Sequence, residues 1–265
     1  MSVSLWQRLR IALGRLFPIR ESTKFGTAKV YETIWHDGSP IRVLDVEGTL
    51  QSATYLDERW CETPFPYLGL FDKLFEQVPD AHNVLMLGGG GLAYPKHLVA
   101  HHPTARIDVV EVDPAIVRLA QRHFYLDRLE DTFHAQEKGR LAIVQQDAMD
   151  YLVDCGRKGV CYDAILDDCY AAGNFAQRLV SPEGVACVRA CLAPDGAYLL
   201  NVVTALEGTQ SASLHETVNV LGNAFAHVWA IPCSRYSPTE PDNVIVAASN
   251  QPPKPTDALR LFDAL

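Results

Sequence analysis

Four carboxylates and one run of glycines carry the chemistry that can be read from this chain. In "NVLMLGGGGLAYPKH" the apolar run Val84–Leu87 ends at Gly88, Gly89, Gly90 and Gly91. Glu111 closes the next apolar run, "IDVVEV"; Asp147 follows "LAIVQQ"; Asp167 and Asp168 follow "YDAIL". An acid thus stands just after each of several short greasy segments. Carboxylates accept hydrogen bonds from sugar hydroxyls and amino groups and attract cations. Glycine lets the backbone turn with positive φ and lets a ligand lie against it. The combination predicts a site where a bare peptide bend and a row of acids surround a polar, cationic ligand.

The surrounding elements must bring these residues together. From residue 83, apolar runs alternate with amphipathic segments: strands over 83–87, 106–111, 141–145, 162–167 and 197–203, and helices over 93–101, 114–123, 147–154, 181–192 and 209–223. Strands buried on both faces and linked by helices predict a doubly wound, Rossmann-like α/β domain with a parallel sheet. Two last strands, near 225–231 and 243–248, have no helix between them, so the pair is expected to be antiparallel. In such folds ligands bind beyond the carboxyl ends of the strands, which is where the glycines and acids fall. Ahead of this lie three short strands, 28–35, 41–46 and 48–55, and a helix over 67–78. The expected organisation is a helix at 1–20, a small antiparallel β-piece at 27–63, the nucleoside-binding domain at 64–250 and a tail at 251–265.

Two ligand classes fit the first turn. Gly88, Gly90 and Ala93 satisfy G-x-G-x-x-A, which suits NAD, and Glu111 at the second strand end suits a ribose in either case. Asp147 can accept from an adenine amino group, and it can also cap the helix that follows it. Acids at this many strand ends offer little to a pyrophosphate and much to a cationic sulfonium, as in S-adenosylmethionine (AdoMet). A terminal antiparallel strand points the same way. NAD-dependent oxidation stays as the lesser alternative.

Composition sets the outer limits. The chain has 265 residues, 48% hydrophobic and 21% charged, enough for a large core. A net charge of −9 argues against a nucleic-acid partner, which needs a basic field. Seven cysteines without a C-x-x-C predict free thiols and a reducing, cytoplasmic setting. Residues 1–20 carry four arginines and no acid, with Leu5, Leu9, Leu13 and Leu16 at helical spacing. They predict an amphipathic helix that packs on the domain or a dimer mate, contact with an anionic membrane surface being the alternative. No later run is long enough to span a bilayer. His97, His101 and His102 share a predicted helix. With no acid in register nearby, they are expected to form a solvated face, and no metal site is expected.

These motifs together resemble the spermidine synthase family of polyamine aminopropyltransferases, over about residues 28–204. "VLDVEGTLQSATYLDE" is similar to the family's strand-turn-strand, "VLMLGGGGLA" to its glycine loop, "VEVDPAIV" to its ribose-binding stretch and "YDAILDD" to its catalytic strand end. The resemblance implies a class I AdoMet-methyltransferase fold, AdoMet or decarboxylated AdoMet as donor, and commonly a homodimer. It implies that Gln51, Glu111 and Asp113 contact the nucleoside, that Asp168 is the catalytic aspartate, and that Tyr67 lies on the substrate side. Tyr170 is expected to line the acceptor pocket beside it. Two departures stand out: Gly91 replaces the family's loop aspartate, which holds the donor's aminopropyl ammonium, and Ala171 replaces a second acid on the polyamine side. The expectation is therefore a transferase moving a methyl or aminopropyl group to a small amine, with the choice between groups left open. A non-catalytic nucleoside-binding relative is the alternative.

Overall fold

Alternation along Asn83–Leu87 sorts the core into two layers. Val84 and Met86 join one buried cluster, with Leu98, Ile107 and Trp229, while Leu85 and Leu87 join the other, with Leu152, Val188 and Leu221. A strand points successive side chains to opposite faces, so an apolar run here means helices on both sides. The structure, a computed structural model, describes residues 11, 13–171, 174–175, 178–234, 237–254 and 260–262, the side chains of 170–171, 174–175 and 260–262 excepted.

The main sheet contains strands β5 (Asn83–Leu87), β6 (Arg106–Val110), β7 (Leu141–Val144), β8 (Tyr162–Asp167), β11 (Leu192–Thr204), β12 (His227–Pro232), β13 (Asp242–Ser249) and β14 (Arg260–Phe262). Their order is β14-β12-β13-β11-β8-β5-β6-β7. The five from β11 to β7 run parallel, while β13 is antiparallel to both β11 and β12. This is the Rossmann-like methyltransferase-type sheet with its reversed strand, as expected. Chain order changes direction between β5 and β8, so the switch-point crevice opens above those two strands. Their tips carry the glycine run and Asp168.

Helices α3 (Ala93–His101), α4 (Pro114–His123), α6 (Ala148–Lys158), α7 (Pro182–Ala190) and α8 (Ala212–Gly222) link the strands. Local signals set their starts. Asp113 and Asp147 each cap a helix through a side-chain oxygen, Ser181 does the same for α7, and Pro114 and Pro182 occupy first-turn positions.

Several boundaries differ from expectation. The basic segment does not remain helical to residue 20: residues 13–16 are helical, but Ile19–Thr23 forms a strand, β1, paired with β2 (Gly26–Ile34). Pro18 stops the helix, and the turn at Gly26 supplies the hairpin. Residues 1–10 and 12 of the predicted helix lie outside the described residues. The N-terminal sheet accordingly has four strands, β1 to β4, completed by β3 (Pro40–Val46) and β4 (Thr49–Tyr55). The expected helix 67–78 is broken into α1 (Pro66–Gly69), a 3₁₀ turn at Leu70–Asp72 and α2 (Lys73–Gln77). An unexpected helix, α5 (Leu126–Phe133), packs Leu126 and Leu129 inward. Within the expected tail, β14 pairs with β12.

Candidate functional site

The glycine turn wraps around the tip of β8. Gly88 has φ +87°, and a Cβ there would lie 2.6 Å from the carbonyl oxygen of Asp168. Both conformation and space therefore require glycine. The next two amides are held by one carboxylate: Gly89 and Gly90 each donate to Glu111 Oε2 at 3.1 Å, and Asp113 N–H donates to Oε1 at 2.9 Å. Burial raises the Glu111 pKa, and the three backbone donors oppose that shift. Glu111 thus fixes the loop, and it lines the crevice.

That crevice is a cavity of about 600 Å³. Gly88, Gly89, Gly90, Glu111, Asp147 and Asp168 all line it, as the strand-end pattern predicts. Asp147 uses Oδ1 to cap α6, accepting from Met149 N–H at 2.9 Å and Asp150 N–H at 3.2 Å. Its Oδ2 takes no hydrogen-bond partner among the described residues, and Arg178, which lines the same cavity, stands 4.0 Å from Oδ1. A second cavity of about 800 Å³ adjoins the first, lined by Trp35, Phe65, Tyr67, Asn201 and Asp242 among others. Gln51 and Asp168 border both cavities. Gln51 Nε2 is a buried donor with no partner among the described residues. A buried amide without a partner is costly, and a ligand at this wall would satisfy it.

Asp168 sits in a fixed hydrogen-bond frame. Asn201 Nδ2 donates to Oδ1 at 2.9 Å, and the Tyr67 hydroxyl donates to Oδ2 at 3.1 Å. Asn243 Nδ2 in turn donates to Asn201 Oδ1 at 2.9 Å, which orients the Asn201 amide. Burial pushes the Asp168 pKa up to about 7, the two donors opposing it. Its neighbour Asp167 points the other way, as strand alternation predicts. It accepts from the Tyr198 hydroxyl at 2.7 Å and lines neither cavity.

Two residues expected at the donor are set back from its cavity. Asp113 does not line the cavity: its oxygens take the N–H of Ala115, as the α4 cap, and the N–H of Lys24 in the β1–β2 turn. Gly91 is also set back. A Cβ on it would lie 2.7 Å from Ser52 Oγ and 3.0 Å from a Phe124 ring carbon, so β4 occupies the space an aspartate side chain would need. Tyr67, expected on the substrate side, lines the second cavity beside Asp168. Tyr170 begins the short strand β9 (Tyr170–Ala171), antiparallel to β10 (Asn174–Phe175), and its side chain lies outside the described residues.

Sequence reasoning missed Asn201, Asn243 and Ser52. Asn201 had a signal, a lone amide inside the apolar run "AYLLNVVT". Ser52 had none, because it reaches the loop through the packing of a separate sheet. The histidines also differ from expectation: His97 and His101 meet acids brought in from upstream, Asp72 and Glu62. All cysteines among the described residues are free thiols, and no described helix is long and apolar enough to cross a membrane.

A reversed-strand Rossmann-like sheet, a glycine turn and acids at successive strand tips define the class of AdoMet-type transferase folds. The sequence matches the spermine/spermidine synthase domain over residues 73–256, and the chain belongs to that family. It is similar to polyamine aminopropyltransferase 2 of Hyperthermus butylicus, 31% identical over 192 residues, covering 72% of this chain and 57% of that protein. It is also similar to the eEF1A lysine and N-terminal methyltransferase homolog of Drosophila melanogaster, 28% identical over 173 residues, covering 63% of this chain and 23% of that one. A solved probable spermidine synthase from Corynebacterium glutamicum superposes with a TM-score of 0.69 at 18% identity, covering 89% of this chain and 81% of that one. The chain spans 57% of the first of these relatives and 23% of the second. These relatives are named as aminopropyltransferases and methyltransferases, both transferases of AdoMet-related groups.

Proposed function

We propose that this protein alkylates a small-molecule amine, with an S-adenosyl sulfonium compound in the 600 Å³ cavity and the amine in the adjoining one. The observation that carries this reading is the position of Asp168: one carboxylate, held by two donors, bordering both cavities with a pKa raised to about 7. The donor supplies an electrophilic carbon on a cationic sulfur. The residues supply the rest. Glu111 and Asp147 would accept from the ribose and the adenine amino group, and Gln51 Nε2 would gain the partner it lacks.

An amine attacks only with its lone pair free. Asp168, half ionised near neutral pH, is suited to accept the proton that the amine loses. Tyr67 and Asn201 each hold one of its oxygens, so the carboxylate keeps one orientation during the transfer. Holding two reactants in line across one wall supplies much of the rate by positioning.

For the transferred group, the loop end of the donor cavity favours the methyl of AdoMet. Ser52 fills the space beside Gly91, and the acids lining this cavity are Glu111, Asp147 and Asp168. A donor ammonium would therefore lack the carboxylate that the family's loop aspartate provides. Aminopropyl transfer is the second reading, favoured by the family match and the aminopropyltransferase relatives. Incubation with each donor and a panel of amines, read by mass spectrometry, separates them. Methylated product from AdoMet that vanishes in Asp168→Asn supports the first reading. Aminopropylated product from decarboxylated AdoMet supports the second. Donor binding without any product refutes both.

A further inference from the structure

We infer that Glu62, His97 and His101 form a binding site for a zinc-class divalent metal ion, with Asp72 as the group that orients His97. This goes beyond the proposed transfer reaction and does not depend on it. His97 and His101 are four apart on α3, so their rings share one face; the ring centroids lie 4.4 Å apart. Glu62 comes from the loop ahead of α1. His101 Nε2 is 2.9 Å from Glu62 Oε1, and His97 Nδ1 is 3.3 Å from Glu62 Oε2. The three ligand atoms all lie within 4.8 Å of one another. Ligands bound at 2.0–2.1 Å in a tetrahedron stand about 3.4 Å apart, so small side-chain rotations would close the site. Two histidines and one glutamate, with a fourth position open to water, are a zinc donor set.

The second observation concerns the other side of His97. Its Nε2 lies 2.8 Å from Asp72 Oδ2. A carboxylate there places the ring proton on Nε2 and leaves the Nδ1 lone pair bare. Nδ1 is buried and has no hydrogen-bond partner among the described residues. It faces the Glu62 oxygen at 3.3 Å, a gap that a proton on Nδ1 closes in the metal-free protein and that a metal ion can take over. Asp72 is itself fixed, accepting from the Tyr94 hydroxyl at 3.0 Å. This carboxylate–histidine–metal arrangement is the usual outer support of a zinc ligand.

The consequence is mechanical. The ion would clamp Glu62 to α3 and, through His97 and Asp72, hold the broken helix Pro66–Gln77 against it. That segment carries Tyr67, which bonds to Asp168, and Tyr94 lines the donor cavity.

The test titrates Co²⁺, then Zn²⁺, into the metal-stripped full-length protein. Absorbance reports Co²⁺ coordination, calorimetry reports Zn²⁺ affinity, and thermal melting confirms folding. We expect one Zn²⁺ per chain, visible bands of four-coordinate Co²⁺, and no response to Mg²⁺, because imidazole suits the former ions. Affinity should fall at least tenfold in His101→Ala and in Glu62→Gln, and about 10–100-fold in Asp72→Asn. His134→Ala, in an exposed cluster with Glu130 and Glu137, should leave it unchanged. His101 is half exposed, so its variants are expected to fold; His101→Gln serves if the alanine variant does not. No saturable binding to the folded protein, or binding equal in wild type and the His101 and Glu62 variants, would overturn the inference.

Discussion

Replacing Asp168 by asparagine should make the protein more stable, and only above a certain pH. The folded carboxyl titrates at about 7 against an ordinary 3.8. Between those values the folded state holds a proton that the unfolded chain has released. Stability therefore falls as pH rises through that window, and the whole penalty is present above about pH 7. A shift of this size corresponds to about 4 kcal/mol at 1.36 kcal/mol per unit. Asp168 borders two cavities and is only half-buried at its surface, so solvent screening reduces this to ~1–3 kcal/mol. For a chain of this size that is about 2–10 °C in melting temperature. Asparagine is uncharged and nearly isosteric, so it removes the titration and keeps a partner for both Asn201 and Tyr67. The assay is thermal melting of wild type and Asp168→Asn from about pH 4.5 to 8.5. The two curves should nearly coincide at the acid end and separate as pH rises, the variant melting higher. Parallel curves, or a variant that melts lower at every pH, would refute a raised Asp168 pKa and with it the poised base.

Other expectations are equally specific. Tyr67→Phe removes one donor to the ionised Asp168, so the pH at which turnover reaches half its plateau should rise by up to about one unit, which a kcat/KM profile would detect. Gly91→Asp should destabilise the fold by ~1–3 kcal/mol through overpacking on Ser52, and the double variant with Ser52→Gly should recover most of it; melting of the three variants decides this. Lys96 is fully buried, donates to Thr54 Oγ1 and the Phe124 carbonyl at 2.9 Å each, and has its pKa pushed down to about 7 by burial. Between about pH 7 and 10.5 the unfolded chain binds the extra proton, so wild-type stability should gain from this group as pH rises; Lys96→Met should lose that gain, as denaturant titrations would report. Glu111→Gln keeps the side chain's shape but weakens its hold on Gly89 and Gly90, and calorimetry should show donor affinity falling about tenfold or more.

The strand-end logic was legible because it depends on local order. Short apolar runs followed by Gly88, Glu111, Asp147 and Asp168 specify a parallel sheet and put those residues at its rim, whatever the loops do. The reversed last strands were legible for the same reason, since no helix lies between β12 and β13 among the described residues. What failed depends on packing between distant segments. Asp113 carries the same side chain as Asp147, yet the β1–β2 turn reaches it and takes its free oxygen. Nothing in "SATYLDE" announces that Ser52 would stand against Gly91. The histidines of α3 looked solvated because the acids that face them, Glu62 and Asp72, lie 25 or more residues upstream. The end of the expected helix 1–20 misled through spacing: leucines at helical spacing continue to Leu16, and the strand that follows Pro18 is short and largely exposed.

The central claim is that the crevice between the glycine turn and Asp168 holds an S-adenosyl nucleoside. A crystal of the protein soaked with S-adenosylhomocysteine tests it most directly. The expected density has ribose hydroxyls on Glu111, the adenine amino group toward Asp147 and the sulfur facing Asp168. A vacant crevice at saturating ligand, or a ligand bound away from Glu111 and Asp168, would contradict the account.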